Sequence, residues 1–236
     1  MSYIHGINYV YILNFSDKII EFYHSLPSDL PLPEGVSLIY PFGDEEVRKT
    51  LEAFYTKYFS DSNYRYYLFG INPGRFGAGI TGIPFTDPKI LEDYCGIRNN
   101  WDKKNELSSL FVYDFIEGLG GPKSFYKNFI ISSACPLGFI KDGKNYNYYD
   151  DLDLERSVEP FILESIEKQL NIYCRRDKAF SLGKGKNYKY LKQLNDQHKW
   201  FDEIIALPHP RWVMQYQRKN YDKHMDDILC LLSGKI

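Results

Sequence analysis

The sequence predicts a three-layer α/β/α fold built around a central, mainly parallel sheet of four strands. Four short apolar segments of strand length lie at residues 66–71, 128–137, 179–182 and 203–207. Between them lie segments with apolar residues at helical spacing, as expected when helices cover both faces of a parallel sheet. We expect a single domain over residues 1–236, with an N-terminal helical part, 1–62, packed on it.

Two amphipathic helices are predicted before the first strand of this sheet, at residues 15–27 and 44–60. Ser16 stands at an N-cap position for the first helix, and the second helix follows Gly43. A proline-containing connector over residues 27–33 separates them. Both helices are expected to be structural.

The first strand of the sheet runs into a loop of unusual composition at residues 70–88, GINPGRFGAGITGIPFTDP. Five glycines and three prolines exclude a regular helix or strand across it. Its glycines, Gly74 among them, let the backbone approach a flat or anionic ligand, and Phe76 and Phe85 offer planar surfaces. Ligands of open α/β sheets bind where strands end, so the loop predicts a site for a ring on a phosphate-bearing chain. The spacing of the common glycine-rich nucleotide motifs is absent.

The end of this loop predicts the start of a helix, with Thr86 or Asp87 as the cap and Pro88 in the first turn. Asp87 has an alternative interpretation as a carboxylate that acts on water beside the site. A further helix is predicted at residues 106–119.

Beyond the second strand, residues 139–153 form a polar, tyrosine-bearing segment that is predicted to be a loop. Lys141, Lys144 and the tyrosines could meet phosphates or unstacked bases, or the loop could simply be solvated. A long helix follows at residues 155–174, and Pro160 is expected within its first turn.

The third strand ends in a glycine-flanked turn before a helix predicted at residues 188–195. Backbone N–H groups at a helix amino terminus attract anions, and Lys184, Gly185 and Lys186 strengthen this as a phosphate site.

The fourth strand ends in Pro208-His209-Pro210-Arg211-Trp212, which holds a histidine between two prolines at a strand's carboxyl end. A final helix is predicted at residues 216–232, with a basic first turn.

Composition limits the kinds of partner. The formal net charge is −2, so a role with nucleic acid requires a local basic patch. The four cysteines form no C-x-x-C pair, which favours reduced thiols in the cytoplasm and disfavours a metal or iron–sulfur centre. No apolar run is long enough to span a bilayer, and residues 1–14 do not have the pattern of a signal peptide. Nothing is typical of a dimerisation seam, so a monomer is expected.

The loop at residues 70–88 resembles the first signature of the SMUG-type branch of the uracil-DNA glycosylase superfamily. The matching residues are Gly70, Asn72, Pro73, Gly74, Phe76, Gly77, Thr81, Gly82, Pro84 and Phe85, with Arg75 where that branch has a proline. Cys135-Pro136-Leu137 resembles the end of the corresponding strand, and His209-Pro210-Arg211 resembles a shortened form of the second signature.

This resemblance implies the fold of that superfamily and a DNA glycosylase that needs no cofactor and no metal. Asn72 would position water, and His209 would stabilise the departing base. The base would be held by Gly74, Phe76, Phe85 and Ser133, and the DNA by Lys184, Gly185, Lys186, Arg211 and Trp212. The implied partner is DNA that contains a damaged or deaminated base, with Arg211 and Trp212 where an intercalating loop begins.

Ser133 stands where the family has an asparagine that reads the edge of uracil. A hydroxyl is shorter than an amide and its proton rotates, so a deaminated purine such as xanthine or hypoxanthine could also find room. The alternative is that Ser133 only hydrogen-bonds the backbone. Two other functions stay open: a damaged-DNA binding module without chemistry, and a hydrolase of small nucleosides or nucleotides.

Overall fold

The computed structural model describes residues 13–104 and 106–234. The described residues leave out 1–12, Asn105 and 235–236. The predicted domain therefore extends beyond them at both ends, and most of the segment 1–14 lies outside them. The elements in chain order are α1 (Phe15–His24), β1 (Val36–Ile39), α2 (Glu45–Phe59), β2 (Tyr66–Gly70), α3 (Ala78–Thr81), α4 (Pro88–Asp93), α5 (Leu107–Gly118), α6 (Gly121–Asn128), β3 (Phe129–Ser133), β4 (Gly138–Lys141), β5 (Lys144–Tyr146), α7 (Leu152–Leu170), β6 (Lys178–Leu182), α8 (Lys186–His198), β7 (Glu203–Leu207), α9 (Pro210–Tyr216) and α10 (Tyr221–Ser233). Short 3-10 turns lie at Pro41–Gly43 and Arg218–Asn220.

The four predicted strands form one parallel sheet in the order β3-β2-β6-β7. Leu68 at its centre pairs with Ile131 on one side and Phe180 on the other. Every residue of β2 and β3 is buried, which explains why both segments are apolar without alternation. The predicted three-layer architecture is confirmed, and the carboxyl ends of the strands meet at one edge.

The two N-terminal helices pack against the sheet's helical layer through aromatic side chains. Phe15 of α1 lies with its ring centroid 5.2 Å from that of Phe59 of α2. The N-cap of α1 is Asn14 rather than Ser16, because Asn14 forms a reciprocal capping box with Asp17. One hydrophobic cluster extends from α1 to α10.

Residues 138–146 are a β-hairpin, so the prediction of a loop over 139–153 is wrong for this part. Strands β4 and β5 pair antiparallel, and β4 also pairs with β1 in a second, three-stranded sheet. Asp142 and Gly143 have φ of +51° and +68°, the backbone that a two-residue hairpin turn requires. The Asp-Gly pair was the sequence signal for this hairpin.

The helices also differ from the prediction in their bounds and number. Asp151 caps α7 at Leu152, so Pro160 lies in the helix interior and not in its first turn. Pro160 is exposed, and water can satisfy the backbone carbonyl that its missing N–H releases. The predicted final helix is divided into α9, a 3-10 turn and α10, because Pro210 starts a helix immediately after β7. The loop at residues 70–88 contains one helical turn, α3.

No helix among the described residues is long and apolar enough to cross a membrane.

Candidate active site

A cavity of about 340 Å³ opens at the carboxyl edge of the four-stranded sheet. It collects residues that follow β2, β3 and β7 in the chain, as the rule for open α/β sheets predicts. Its lining consists of Ile71, Asn72, Pro73, Gly74, Ala78, Pro84, Phe85, Glu106, Ser108, Ser133, Asn145, Asn147, Tyr149, His209 and Arg211.

The Asn72 side chain is held in one orientation by backbone groups of the hairpin segment. Its Nδ2 donates to the Tyr146 carbonyl at 3.2 Å, and its Oδ1 accepts from the Tyr148 N–H at 3.2 Å. An amide oxygen has two lone pairs, so one remains for a water molecule or a substrate hydroxyl. Because the amide is fixed before any ligand arrives, Asn72 can position a water without reorganisation.

His209 lies at the end of β7, in the N-cap position of α9. Burial of the imidazole, together with the charge of Arg211, lowers the pKa of His209 to about 4. The ring is therefore neutral at physiological pH and carries one N–H donor. A Cβ on Gly183 would lie 3.2 Å from His209 Cδ2, so the ring packs closely on the turn after β6.

Phe85 provides an aromatic wall of the cavity. It adopts a φ of +53°, in the left-handed region, and its ring packs on the end of β2. A Cβ on Gly70 would stand only 2.7 Å from Phe85 Cε2, so Gly70 is what allows the ring to lie there. The strained backbone of Phe85 is consistent with a functional position.

Ser133 is the last residue of β3, pairs with Gly70 of β2 and lines the cavity. Among residues 13–104 and 106–234 its hydroxyl has no hydrogen-bond partner, whereas its backbone carbonyl accepts from Gln169 Nε2 at 3.5 Å. The geometry therefore leaves the Ser133 hydroxyl available to a ligand.

Asp87 is a fully buried helix cap. Its Oδ1 accepts from the N–H groups of Lys89 and Ile90, at 3.0 and 2.9 Å, and its Oδ2 accepts from the Glu106 N–H at 2.9 Å. These bonds support the interpretation of Asp87 as a cap, and Asp87 does not belong to the cavity lining.

Phe76 is placed outside the cavity, although the sequence predicted that it would contact the base. Its side chain is 48% exposed and lies under the Arg75 guanidinium, 4.6 Å from the ring centroid. Its ring lines a neighbouring cavity instead.

The predicted phosphate turn adjoins the site. A cavity of about 390 Å³ is lined by Lys184, Gly185 and Lys186 together with Trp212 and His209. Gly185 is the N-cap of α8, so free N–H groups point from that helix start. Arg211 lines the cavity that contains Asn72, and Trp212 is 44% exposed on α9 rather than on a loop.

Several lining residues were not predicted from the sequence. Asn145 lies in β5 and Asn147 just beyond it, positions that the Asp-Gly turn could have revealed, whereas Tyr149 was among the tyrosines offered as contacts to phosphates or bases. Glu106 comes from the start of α5, and burial together with the charge of Asp87 raises the pKa of its carboxyl. A Cβ on Gly77 would collide with this carboxylate, a close approach that no sequence pattern indicates.

A fixed amide, a neutral imidazole and an aromatic wall meet at the edge of a parallel sheet, which defines an α/β protein with a ligand site where its strands end. Residues 56–233 match the uracil DNA glycosylase superfamily, and the chain belongs to that superfamily.

Its solved relatives include wild-type Pedobacter heparinus SMUG2, whose crystal structure is 44% identical in sequence. The TM-score is 0.90, over 94% of this chain and 98% of that one. Among curated proteins, the single-strand selective monofunctional uracil-DNA glycosylases of Rattus norvegicus and Mus musculus are each 27% identical over 136 residues. That match covers 50% of this chain and 48% of theirs, so the chain matches about half of their length. The resemblance to the SMUG-type branch is confirmed.

Proposed function

We propose that the protein is a monofunctional DNA glycosylase of base excision repair, which removes uracil and also xanthine or hypoxanthine. The observation that carries the proposal is the meeting of Asn72, His209 and Phe85 in one cavity of a chain that belongs to this superfamily. The partner would be DNA that contains a deaminated base. The enzyme would move this base out of the stack before it breaks the bond between the base and the sugar.

Each side chain would have a separate task. The extruded base would stack on Phe85, and the fixed Asn72 oxygen would hold a water molecule at the anomeric carbon. As the bond to the base breaks, negative charge grows on the base, and the N–H of neutral His209 would stabilise it. An amide is a weak base, so stabilisation of the leaving group and the field of the DNA phosphates must supply most of the barrier lowering.

The cavity favours hydrolysis in one step. No lysine belongs to its described lining, whereas an amine nucleophile would be needed for a covalent intermediate with the sugar. The expected product is an abasic site in an uncut strand.

Ser133 supports a broad choice of base. Its hydroxyl can act as donor or acceptor and is smaller than an amide, which leaves room for the second ring of a purine. Glu106, Ser108 and Asn145 line the same cavity and offer further polar contacts.

DNA phosphates would meet the Lys184-Gly185-Lys186 turn, with Arg211 and Trp212 beside the extruded nucleotide. The exposed indole of Trp212 is suited to a wedge, because a large apolar surface in water is stabilised by stacking. We expect a monomer that works in the cytoplasm, which agrees with four free cysteines, one of them exposed.

The test is base release from oligonucleotides containing uracil, xanthine or hypoxanthine, single- and double-stranded, at single turnover. Asn72→Ala and His209→Ala should each slow release by at least about tenfold, or roughly 1.4 kcal/mol of barrier. Lys127→Ala, exposed at the opposite edge of the sheet, serves as the control. Tight binding of lesion DNA without release of any base would instead indicate a binding module, and the fastest base would define the role of Ser133.

A further inference from the structure

A second cavity, of about 610 Å³, adjoins the proposed active site. The two cavities share Glu106, Ser108, Asn145 and Arg211 in their linings, so they are continuous along one side. We name the second cavity the basic groove. Of the Lys184-Gly185-Lys186 turn, Arg211 and Trp212, only Arg211 lines it.

Four basic side chains, Arg75, Lys104, Lys144 and Arg211, line the basic groove together with the carboxylate of Glu106, and Lys104 also lies 3.8 Å from the exposed Asp102 carboxylate. This concentration is notable in a chain of net charge −2. Lys144 and Arg211 are exposed, and within the described part of the chain neither has an ion-pair partner. Unpaired cations along a groove are typical of contacts to a phosphate backbone.

Phe76 adds a flat surface to the groove. An aromatic ring left 48% exposed gains free energy when another ring covers it. The Arg75 guanidinium lies 4.6 Å from the ring centroid and donates to the Gly143 carbonyl, while the Arg75 N–H donates to Asn145 Oδ1 at 3.1 Å. The hairpin turn therefore fixes the loop that carries Phe76.

We propose that the basic groove binds the single-stranded DNA segment next to the extruded nucleotide. An adjacent base stacks on Phe76, and its phosphates lie against Lys104 and Lys144. A base can stack on Phe76 only when it is not paired, so the groove favours single-stranded substrate on this side. This inference rests on the proposed function, because it takes the first cavity as the position of the extruded nucleotide.

The test is fluorescence anisotropy with single-stranded oligonucleotides that carry one uracil in the middle, at the 5′ end or at the 3′ end. Phe76→Ala should weaken binding of the central-uracil strand by about fivefold or more. It should do so for only one of the two end-placed strands, because only one has nucleotides that reach the groove. Lys144→Ala should reduce the slope of log affinity against log salt by about 0.7, whereas Lys127→Ala, with the same loss of charge, should not change affinity.

Equal affinities for Phe76→Ala, Lys144→Ala and Lys127→Ala would overturn the groove assignment, as would an equal loss on both end-placed strands. Base release measured on the same oligonucleotides separates the two proposals. If base is released but Phe76→Ala does not change binding, the glycosylase proposal is supported and the groove proposal is contradicted. If Phe76→Ala weakens binding but no base is released, the glycosylase proposal is contradicted and the groove is a binding site for single-stranded DNA.

Discussion

At the scale of single residues, the protonation state of His209 decides how the leaving base is stabilised. An imidazole with an ordinary pKa would be partly charged near neutrality, but burial and Arg211 lower this pKa to about 4. We expect the single-turnover rate of base release to stay level between about pH 6 and 8, because the neutral imidazole keeps its one N–H donor across this range. A rate that declines as the pH rises through about 6.5 would show that a charged imidazolium is needed.

The same pKa shift makes the folded state sensitive to acid. The unfolded chain takes up this proton near the ordinary pKa of about 6.5, whereas folded His209 takes it up only at about 4. The unfolded state therefore binds more protons in this window, and the free energy of unfolding falls as the pH drops through it. His209→Gln removes the titrating group, so its urea unfolding midpoint should depend less on pH between these values than that of the wild type.

The two proposed catalytic side chains lie near strand ends and were predictable from the sequence. The positions of the loop residues around them were not. Asn72 and His209 each lie two residues beyond the end of an apolar strand, so the sheet sets their place. Glu106 and Phe76 depend on how loops fold back. Phe76 lies in the same signature as Asn72, yet the turn after Gly74 carries it out of the cavity.

At the scale of elements, Asp87 connects the start of α4 to the residue that precedes α5. One carboxylate oxygen caps α4, and the other accepts from the Glu106 N–H. Asp87→Asn can keep the cap through Oδ1 but presents an NH₂ donor to the Glu106 N–H, so it should lose that connection alone. Asp87→Ala should lose both and cost about 1–3 kcal/mol of unfolding free energy.

Urea unfolding of both variants, with base release as the second readout, checks this division. We expect Asp87→Asn to impair release more than its loss of stability explains, because Glu106 belongs to the cavity lining. Release at the wild-type rate in both variants would show that the position of Glu106 does not depend on Asp87.

The hairpin is the element that sequence analysis misjudged most, and it matters for the site. Polar and aromatic residues between the second strand and α7 suggested a solvated loop. Instead, the Asp-Gly turn pairs β4 with β5, and the backbone beyond β5 fixes the amide of Asn72. Composition indicated exposure, but turn chemistry decided the structure.

At the scale of the whole molecule, the parallel sheet was predictable because each strand is buried on both faces and reads as a continuous apolar run. The three-stranded sheet was not, because β1 and β4 are far apart in the chain and each is too short to show a period. The split of the C-terminal helix likewise depends on how α9 packs after Pro210.

The edge of the sheet where the parallel strands begin lies opposite the site, and the buried Arg65 guanidinium stabilises it. Arg65 is fully buried and forms a two-pronged ion pair with Asp61, with nitrogen–oxygen distances of 2.8 and 2.9 Å. Its Nε donates to the Tyr126 carbonyl at 2.6 Å, and its guanidinium lies 4.6 Å from the Phe15 ring centroid and 4.8 Å from that of Phe59. The side chain thus joins α1, α2 and α6 at the start of β2.

Arg65→Met should therefore destabilise the whole fold without changing the chemistry. Removing the cation leaves buried carbonyls and the Asp61 carboxylate without their partner, and we expect a loss of about 3–5 kcal/mol of unfolding free energy. Asp61→Asn should cost less, because the Asp61 side chain is 38% exposed and water can replace part of the lost interaction. Urea unfolding gives both values, and base release per folded molecule should stay near the wild-type rate, because Arg65 precedes β2 and the cavity lies beyond its other end. A loss below about 1 kcal/mol for Arg65→Met would show that aromatic packing alone holds this edge.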